Sequence, residues 1–140
     1  MITLHVLKLL EDEGYGTIDT DLFFEEVPLD STGKPKQGLW IVPRASQVTP
    51  RNVRVQQFDL YSRYTNKLTG SKKLEDILDF FEQNSAKPCV LPEVPPYSAT
   101  NYTNIRIIPL SSIENVGTDE NGRIVRVISA EIRYNKLKEN

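Results

Sequence analysis

Val53-Arg54-Val55-Gln56-Gln57-Phe58-Asp59-Leu60-Tyr61-Ser62-Arg63-Tyr64 is the stretch on which the fold turns. It alternates as a strand does, but its apolar parity moves from Val53 and Val55 to Phe58 and Leu60. Successive side chains of a strand point to opposite faces, so this change requires a bulge or a change of buried face near Gln56-Gln57. Downstream, Ser71 is placed to cap a helix in which Leu74, Ile77, Leu78 and Phe81 fall at i, i+3, i+4 and i+7. Phe80 lies beside that stripe, where core packing is the simpler use for it.

Between Ala86 and Asn101, Pro88, Pro92, Pro95 and Pro96 remove backbone donors and fix φ, which excludes a helix or a central strand. A long connection of this kind is usually functional or disordered, and the expectation is an arm that orders against a partner. Strands resume at Thr103 to Leu110 and Ile113 to Gly117, and Asp119-Glu120-Asn121-Gly122 forms a turn into a last strand, Arg123 to Tyr134. Along it Ile124, Ile128, Ala130, Ile132 and Tyr134 share one face, while Val125 and Val127 make the opposite face apolar at its start. Two apolar faces at one end call for a covering layer, either from the same chain or from a neighbouring subunit.

Upstream, Leu39-Trp40-Ile41-Val42 and Asp21 to Leu29 read as two more strands. The loop between them, Asp30 to Gly38, has the Gly, Pro and Ser content of a hairpin tip or mobile arm, without a phosphate-loop spacing. Trp40 sits among apolar neighbours and is expected in the core. Ile2, Val6, Leu9 and Leu10, widened by Leu7, form one helical stripe that ends at Gly14. His5 falls in that helix, where a partly packed surface position is expected. The order α-β-β-β-α-β-β predicts one α+β domain: a mixed, mostly antiparallel sheet of four to five strands with two helices packed on it, and extended loops at about 30–38 and 86–101.

A chain of 140 residues, 39% apolar, can bury one modest core, so a second domain is not expected. No apolar run approaches the roughly 20 residues of a membrane helix. The start, Met1-Ile2-Thr3-Leu4-His5, has neither a basic prelude nor a small-residue cleavage site, which predicts a protein made and kept in the cytoplasm. One cysteine, Cys89, and one histidine, His5, leave no internal disulfide and none of the common Cys/His zinc sites. The usual hydrolytic and cofactor motifs also lack their parts, so no enzyme, cofactor or metal is expected. Asp19, Asp21, Glu25 and Glu26 form the nearest carboxylate cluster and could hold Mg²⁺, although a solvated acidic strand entry explains them more simply.

Charge is segregated. Residues 34–73 hold nine Lys and Arg against one acid, Asp59, within a chain of net charge −2. Residues 1–33 hold eight carboxylates against Lys8. Such a chain suits a polyanion partner or head-to-tail contact between copies.

Specific residues then match a known pattern. Leu9-Leu10-Glu11-Asp12-Glu13-Gly14-Tyr15-Gly16, followed by Asp19-Thr20-Asp21-Leu22-Phe23-Phe24, resembles the minor capsid or tail terminator proteins of long-tailed phages. In that family a helix ends in a Gly-x-Gly turn and leads to an Asp-Leu-Phe strand and a proline. Phe58-Asp59-Leu60-Tyr61-Ser62-Arg63 with the Leu74-to-Phe81 helix is similar to the family's central strand and helix. Ile113-Glu114-Asn115-Val116-Gly117, Asp119-Glu120-Asn121-Gly122-Arg123 and Ile128-Ser129-Ala130-Glu131-Ile132-Arg133-Tyr134 are similar to its closing hairpin. The resemblance covers most of the chain and departs at Asp30–Gly38 and Lys87–Pro96.

The resemblance implies a structural virion protein without enzymatic activity. It would form a ring, commonly a homohexamer, that caps the tail tube and joins it to a head-tail connector protein. Its place would be the head-proximal end of the tail, reached from the host cytoplasm, with genomic DNA passing through the lumen without specific binding and no membrane involved. Ring closure needs two different patches meeting on neighbours. Charge, not the resemblance, suggests Lys34, Lys36, Arg44, Arg51 and Arg54 against Glu11, Asp12, Glu13, Glu25 and Glu26, with Val125 and Val127 as the apolar alternative. The competing reading is a nucleic-acid-binding module in which Arg51, Arg54, Arg63, Lys67, Lys72 and Lys73 grip phosphates beside Tyr61 and Tyr64. The sequence pI near 5.5 weighs against it.

Overall fold

The parity switch lies in the central strand of the sheet. The computed structural model describes residues 1–137. In chain order it contains α1 (Ile2–Asp12), β1 (Leu22–Phe24), β2 (Gly38–Val48), β3 (Val53–Tyr64), α2 (Lys67–Gln83), β4 (Tyr102–Pro109), β5 (Glu114–Thr118) and β6 (Ile124–Lys136). The sheet runs β1-β2-β3-β6-β4, with β5 also paired to β6. Among the described strands, β1 and β2 pair in parallel and the other pairs are antiparallel. The α+β class, the mixed and mostly antiparallel sheet and the two helices on it are as expected from the sequence, and the sheet has six strands because β5 pairs with β6 as a strand of its own.

Both helices cover one face. Ile2, Val6, Leu7, Leu9 and Leu10 of α1 and Leu74, Ile77 and Phe81 of α2 join Leu39, Ile41, Phe58, Leu60, Ile107, Ile128, Ala130 and Ile132 in one buried cluster. The buried stripe of α1 takes in Ile2, Thr3, His5, Val6, Leu7, Leu9 and Leu10, while Lys8 turns towards its carboxylate neighbours Glu11 and Asp12. Gly14, at φ +87°, makes the left-handed turn that ends it, and the amides of Gly14 and Tyr15 close on the Glu11 and Leu10 carbonyls.

The switch in β3 is a change of buried face, one of the two causes expected for it. Register with β6 is continuous from Val53↔Asn135 to Tyr64↔Ile124, so Phe58, Leu60 and Ser62 face the helices while Val55 is buried on the opposite face. A bulge does occur next to it, in β2 and not in β3, where register shifts between Pro43 and Ser46, opposite the Gln56–Phe58 stretch. That bulge carries β2 past Pro43 to Val48, well beyond the Leu39–Val42 expected from its apolar run.

Three other boundaries differ from expectation. The strand expected over Asp21 to Leu29 is only Leu22–Phe24, because Glu25 takes φ +65° and turns the chain away after its amide bonds Ile41 O. Since β1 and β2 are parallel, the Asp30–Gly38 loop does not join them as a hairpin but belongs to a crossover; within that crossover Leu29 and Pro35 bridge antiparallel, with Asp30 N and Lys36 N donating to Lys34 O and Pro28 O, so residues 30–34 are the tip of a small hairpin. Helix α2 begins at Lys67, not after Ser71, and is capped by the Asn66 side chain, which accepts from Leu68 N. Gly70 lies inside it, where a Cβ would come within 2.7 Å of Ser62 Oγ, so glycine is what lets the helix approach β3.

The proline segment is not a free arm. Cys89 N donates to Ile105 O at 2.8 Å, Leu91 and Ala99 are buried, and the Glu93 carboxylate accepts from Ala99 N. His5, expected at the surface, is buried beneath this segment: its ring nitrogen lies 2.9 Å from Pro92 O and its ring meets Tyr102 edge-on. The segment is a flap packed on its own domain.

Candidate assembly interface

Strand pairing fixes where the charged side chains sit. The sheet has a Tyr64 end, where Gly38 pairs with Arg63 and Tyr64 with Ile124, and a Val53 end, where Val48 pairs with Arg54 and Val53 with Asn135. The connection from β2 to β3 at the Val53 end carries Arg51, exposed at φ +71°. Arg54 is half-buried across from Tyr134, and that ring stands edge-on to Tyr102.

Acidic groups collect at the other end. Asp21 O accepts the Leu39 amide at the start of β2, and Asp21 Oδ1 accepts from Thr17 N. The Glu11 carboxylate reaches this turn, accepting from Ile18 N at 2.6 Å and from Lys8 Nζ at 2.6 Å, and the Lys8 hydrogen bond foremost holds it below the usual carboxylate range. Asp12 lies 3.3 Å from Lys8, and Glu13 is exposed beside them. From Leu39 to Val48 is nine residues of β2, about 30 Å at ~3.3 Å each.

The basic segment therefore does not form one patch. Lys34 and Lys36 lie at the Tyr64 end, because Gln37 Oε1 accepts from Thr65 N in the same loop. Lys67, Lys72 and Lys73 lie on the first half of α2, with Lys72 paired to Asp76 and Lys73 over the Tyr64 ring. Glu25 and Glu26, both exposed, flank β2 just past β1 instead of joining the other acids. Among the described residues no three His, Cys, Asp or Glu side chains converge as a metal site would require, and Asp19, Asp21, Glu25 and Glu26 do not form one.

The sheet face opposite the helices brings together residues that the sequence assigned to separate roles. Trp40 pairs with Tyr61 and stacks on it at 5.0 Å, and the Arg63 guanidinium lies 4.6 Å above the Trp40 ring. Arg44 donates to Asp59 Oδ2 at 2.7 Å and to the Tyr61 hydroxyl at 2.6 Å, and Ser129 Oγ donates to Asp59 Oδ1. Trp40 is thus outside the main core, which its alternation with buried Leu39 and Ile41 would have indicated. Val125 and Val127 share this face opposite Arg63 and Tyr61 and are half-buried.

The covering layer at the Tyr64 end comes from the chain itself. Arg123 donates to Pro35 O and lies 3.8 Å from Asp30, which anchors the β1–β2 crossover to this face, and Arg63 lies 3.2 Å from Asp119 in the β5–β6 turn. Burial opposes ionisation of Asp119, but the amides of Arg123 and Asn121 and the two arginines together hold its pKa low. Tyr64 is half-buried beneath α2, and that burial pushes its pKa up to about 12. Burial also pushes the Cys89 thiol up, which suits a packing role better than a nucleophile.

Asp30 organises the crossover. Its carboxylate accepts from Thr32 Oγ1 and from the amides of Thr32 and Lys34, and these bonds, the hydroxyl first, hold its pKa at about 2. A depressed folded-state pKa stabilises the loop above the ordinary value of 3.8 and loses that contribution as pH falls towards about 2. In an NMR titration the Thr32 and Lys34 amide shifts should move with a midpoint near 2; a midpoint near 4 would show that the carboxylate makes no such bonds.

Compared with known proteins, the chain matches no family model and no curated protein sequence.

Proposed function

We propose that this chain is a structural assembly protein whose copies join head to tail into a ring, most economically the homohexameric tail terminator of a long-tailed phage. The observation that supports this reading is the separation of exposed Arg51 at the Val53 end of the sheet from the exposed carboxylates of Asp12 and Glu13 near its Tyr64 end, where Lys34 and Lys36 also lie, about 30 Å along β2. Two unlike patches on one subunit are what a heterologous, closing contact requires. The terminator role comes from the resemblance of the α1–β1 region, the Phe58–Arg63 strand and the closing hairpin. On this reading the ring stops tube growth with one rim, offers the other to a head-tail connector protein, and lets genomic DNA through its lumen in the virion without gripping it.

Dispersal of the basic side chains also weighs against the nucleic-acid module, since Arg51 and Arg54 sit far along the sheet from Lys67, Lys72 and Lys73. Arg51→Glu is the sharper test of assembly than Arg54→Glu, because Arg51 is exposed whereas Arg54 packs beside Tyr134. Native mass spectrometry should show a ring for the wild type at low salt. The variant should need at least tenfold more protein to reach the same ring fraction, and the wild-type ring should weaken as salt rises, because exposed charge contacts are screened within about 10 Å at 0.1 M. In parallel, addition of the protein to polymerising tail-tube protein should cap tube length. A wild type that stays monomeric at all concentrations, alone and with tube protein, would sink the reading.

A further inference from the structure

We propose that the ring is closed by strand pairing: the free edge of β5 on one copy adds, antiparallel, to the free edge of β2 over residues 44–48 on the next. This rests on the ring reading above and names the surfaces that would make it. A sheet edge exposes unpaired amides and carbonyls and pairs with another chain unless it is blocked. Most edges here are blocked by the chain itself. On β4, Ile105 O accepts from Cys89 N in the flap, Ile107 N donates to Asn84 O at the end of α2, and Pro109 ends the strand. On β1, Leu22 spends both its amide and its carbonyl on the Thr17–Asp19 turn, and Phe24 O accepts from Glu26 N.

Two edges stay bare among the described residues. Strand β5 pairs only with β6; all five of its residues are exposed, Val116 at 57%, and it contains neither proline nor lysine. Strand β2 is covered by β1 only from Leu39 to Ile41, so beyond Pro43 its backbone pairs with β3 alone; Arg44 O is taken by the Gln56 side-chain amide, and Val48 is 71% exposed.

Direction, charge and height all fit these edges to each other. Strands β2, β3, β6 and β5 alternate in direction, and rotation about an axis along the sheet preserves direction. A neighbour's β2 therefore meets β5 antiparallel. Residues 38–58 carry Arg44, Arg51 and Arg54 and no acid, whereas residues 110–122 carry Glu114, Asp119 and Glu120 and no base. The acid meeting Arg51 would then be Glu114, with Glu120 at the Arg44 end of the contact, and not Glu11 to Glu13. Through β6, Val116 is level with Ser62 and Arg63, whereas Gln47 is level with Val55, seven to eight residues along β3 or about 25 Å. Closing a sheet into a barrel demands such a stagger, taken up as strand tilt.

Cysteine cross-linking tests this directly. In a Cys89→Ser background, Val116→Cys is combined in turn with Ser46→Cys, Gln47→Cys and Val48→Cys, and the purified protein is oxidised mildly. A disulfide needs Cα atoms about 4.4–6.8 Å apart, so one combination should give a covalent ladder up to the ring size, while each single variant stays unlinked. Dimers from Val116→Cys alone would overturn the proposal in favour of a symmetric β5–β5 contact. Rings present by native mass spectrometry but unlinked in all three combinations would overturn edge pairing and leave the ring reading standing. Cross-linked open filaments without rings would support edge pairing and overturn the ring. Absence of any oligomer would overturn both.

Discussion

A Gly38→Ala variant will lose about 4 kcal/mol of stability, from about 1–3 for overpacking and about 1–3 for holding a side chain at positive φ. Gly38 has φ +153°, and a Cβ there would lie 2.6 Å from Asp21 O and 3.0 Å from Asp21 C and Cα. Those are backbone atoms of the turn into β1, and Asp21 O is already the acceptor of Leu39 N, so nothing can swing aside as a flexible side chain would. Relief requires separating β1 from β2, which unseats Leu22 and exposes the buried Phe23 that pairs with Trp40. For a domain of this size the loss corresponds to a fall of roughly 15 °C in thermal midpoint. Gly122→Ala is the control, since Gly122 has φ +73° but nothing within 4 Å of its would-be Cβ, and it should cost only about 1 kcal/mol. Equal melting of the two variants would show that close approach to Asp21 is not what selects glycine at position 38.

That contact also marks where one-dimensional reading stops. The α2 stripe, the buried face of β6 and the parity switch in β3 were legible, because each is a local period imposed by one buried face. The start of α2 was not, since Gly70 reads as a breaker until Ser62 is seen beneath it. Nor was the parallel β1–β2 pairing: a turn-rich loop between two short apolar runs looks like a hairpin, and only the docking of Asp21 on Gly38 and the anchoring of the loop by Arg123 reveal a crossover. That the basic residues do not form one patch was illegible for a related reason. Residues 34–73 are one basic block along the chain, but β2 and β3 fold it back on itself, leaving Lys34 and Lys36 at one end, Arg51 and Arg54 at the other, and Lys67 to Lys73 on a helix. Charge counts survive folding, whereas their neighbourhoods do not. Bare edges such as β5 are invisible before pairing is known, because a strand's pattern reports its faces and not its partners.

The proline segment shows the same limit and gives the last test. Its sequence offers Val90, Leu91 and Val94 as equivalent apolar residues, yet Val90 is 85% exposed and Leu91 only 4%. Replacing Val90–Tyr97 by a Gly-Ser bridge removes Leu91 from the core and strips the Pro92 carbonyl from His5, leaving a buried ring nitrogen unpaired. Losing a buried leucine costs about 2–5 kcal/mol, and an orphaned buried polar group adds about 1–3, so the shortened protein should lose at least about 3 kcal/mol and melt roughly 10 °C lower. Leu91→Ala alone should reproduce most of that loss, and Val90→Ala almost none. Limited proteolysis separates the two views of the segment without mutation. A packed flap resists cleavage in the monomer as well as in the assembly, because cutting it requires opening Cys89 from Ile105 and Leu91 from the core. Fast cleavage within 90–97 in the monomer, with protection gained only on assembly, would return the segment to the role of a partner-binding arm. In that case its deletion should weaken the ring and leave the melting temperature alone.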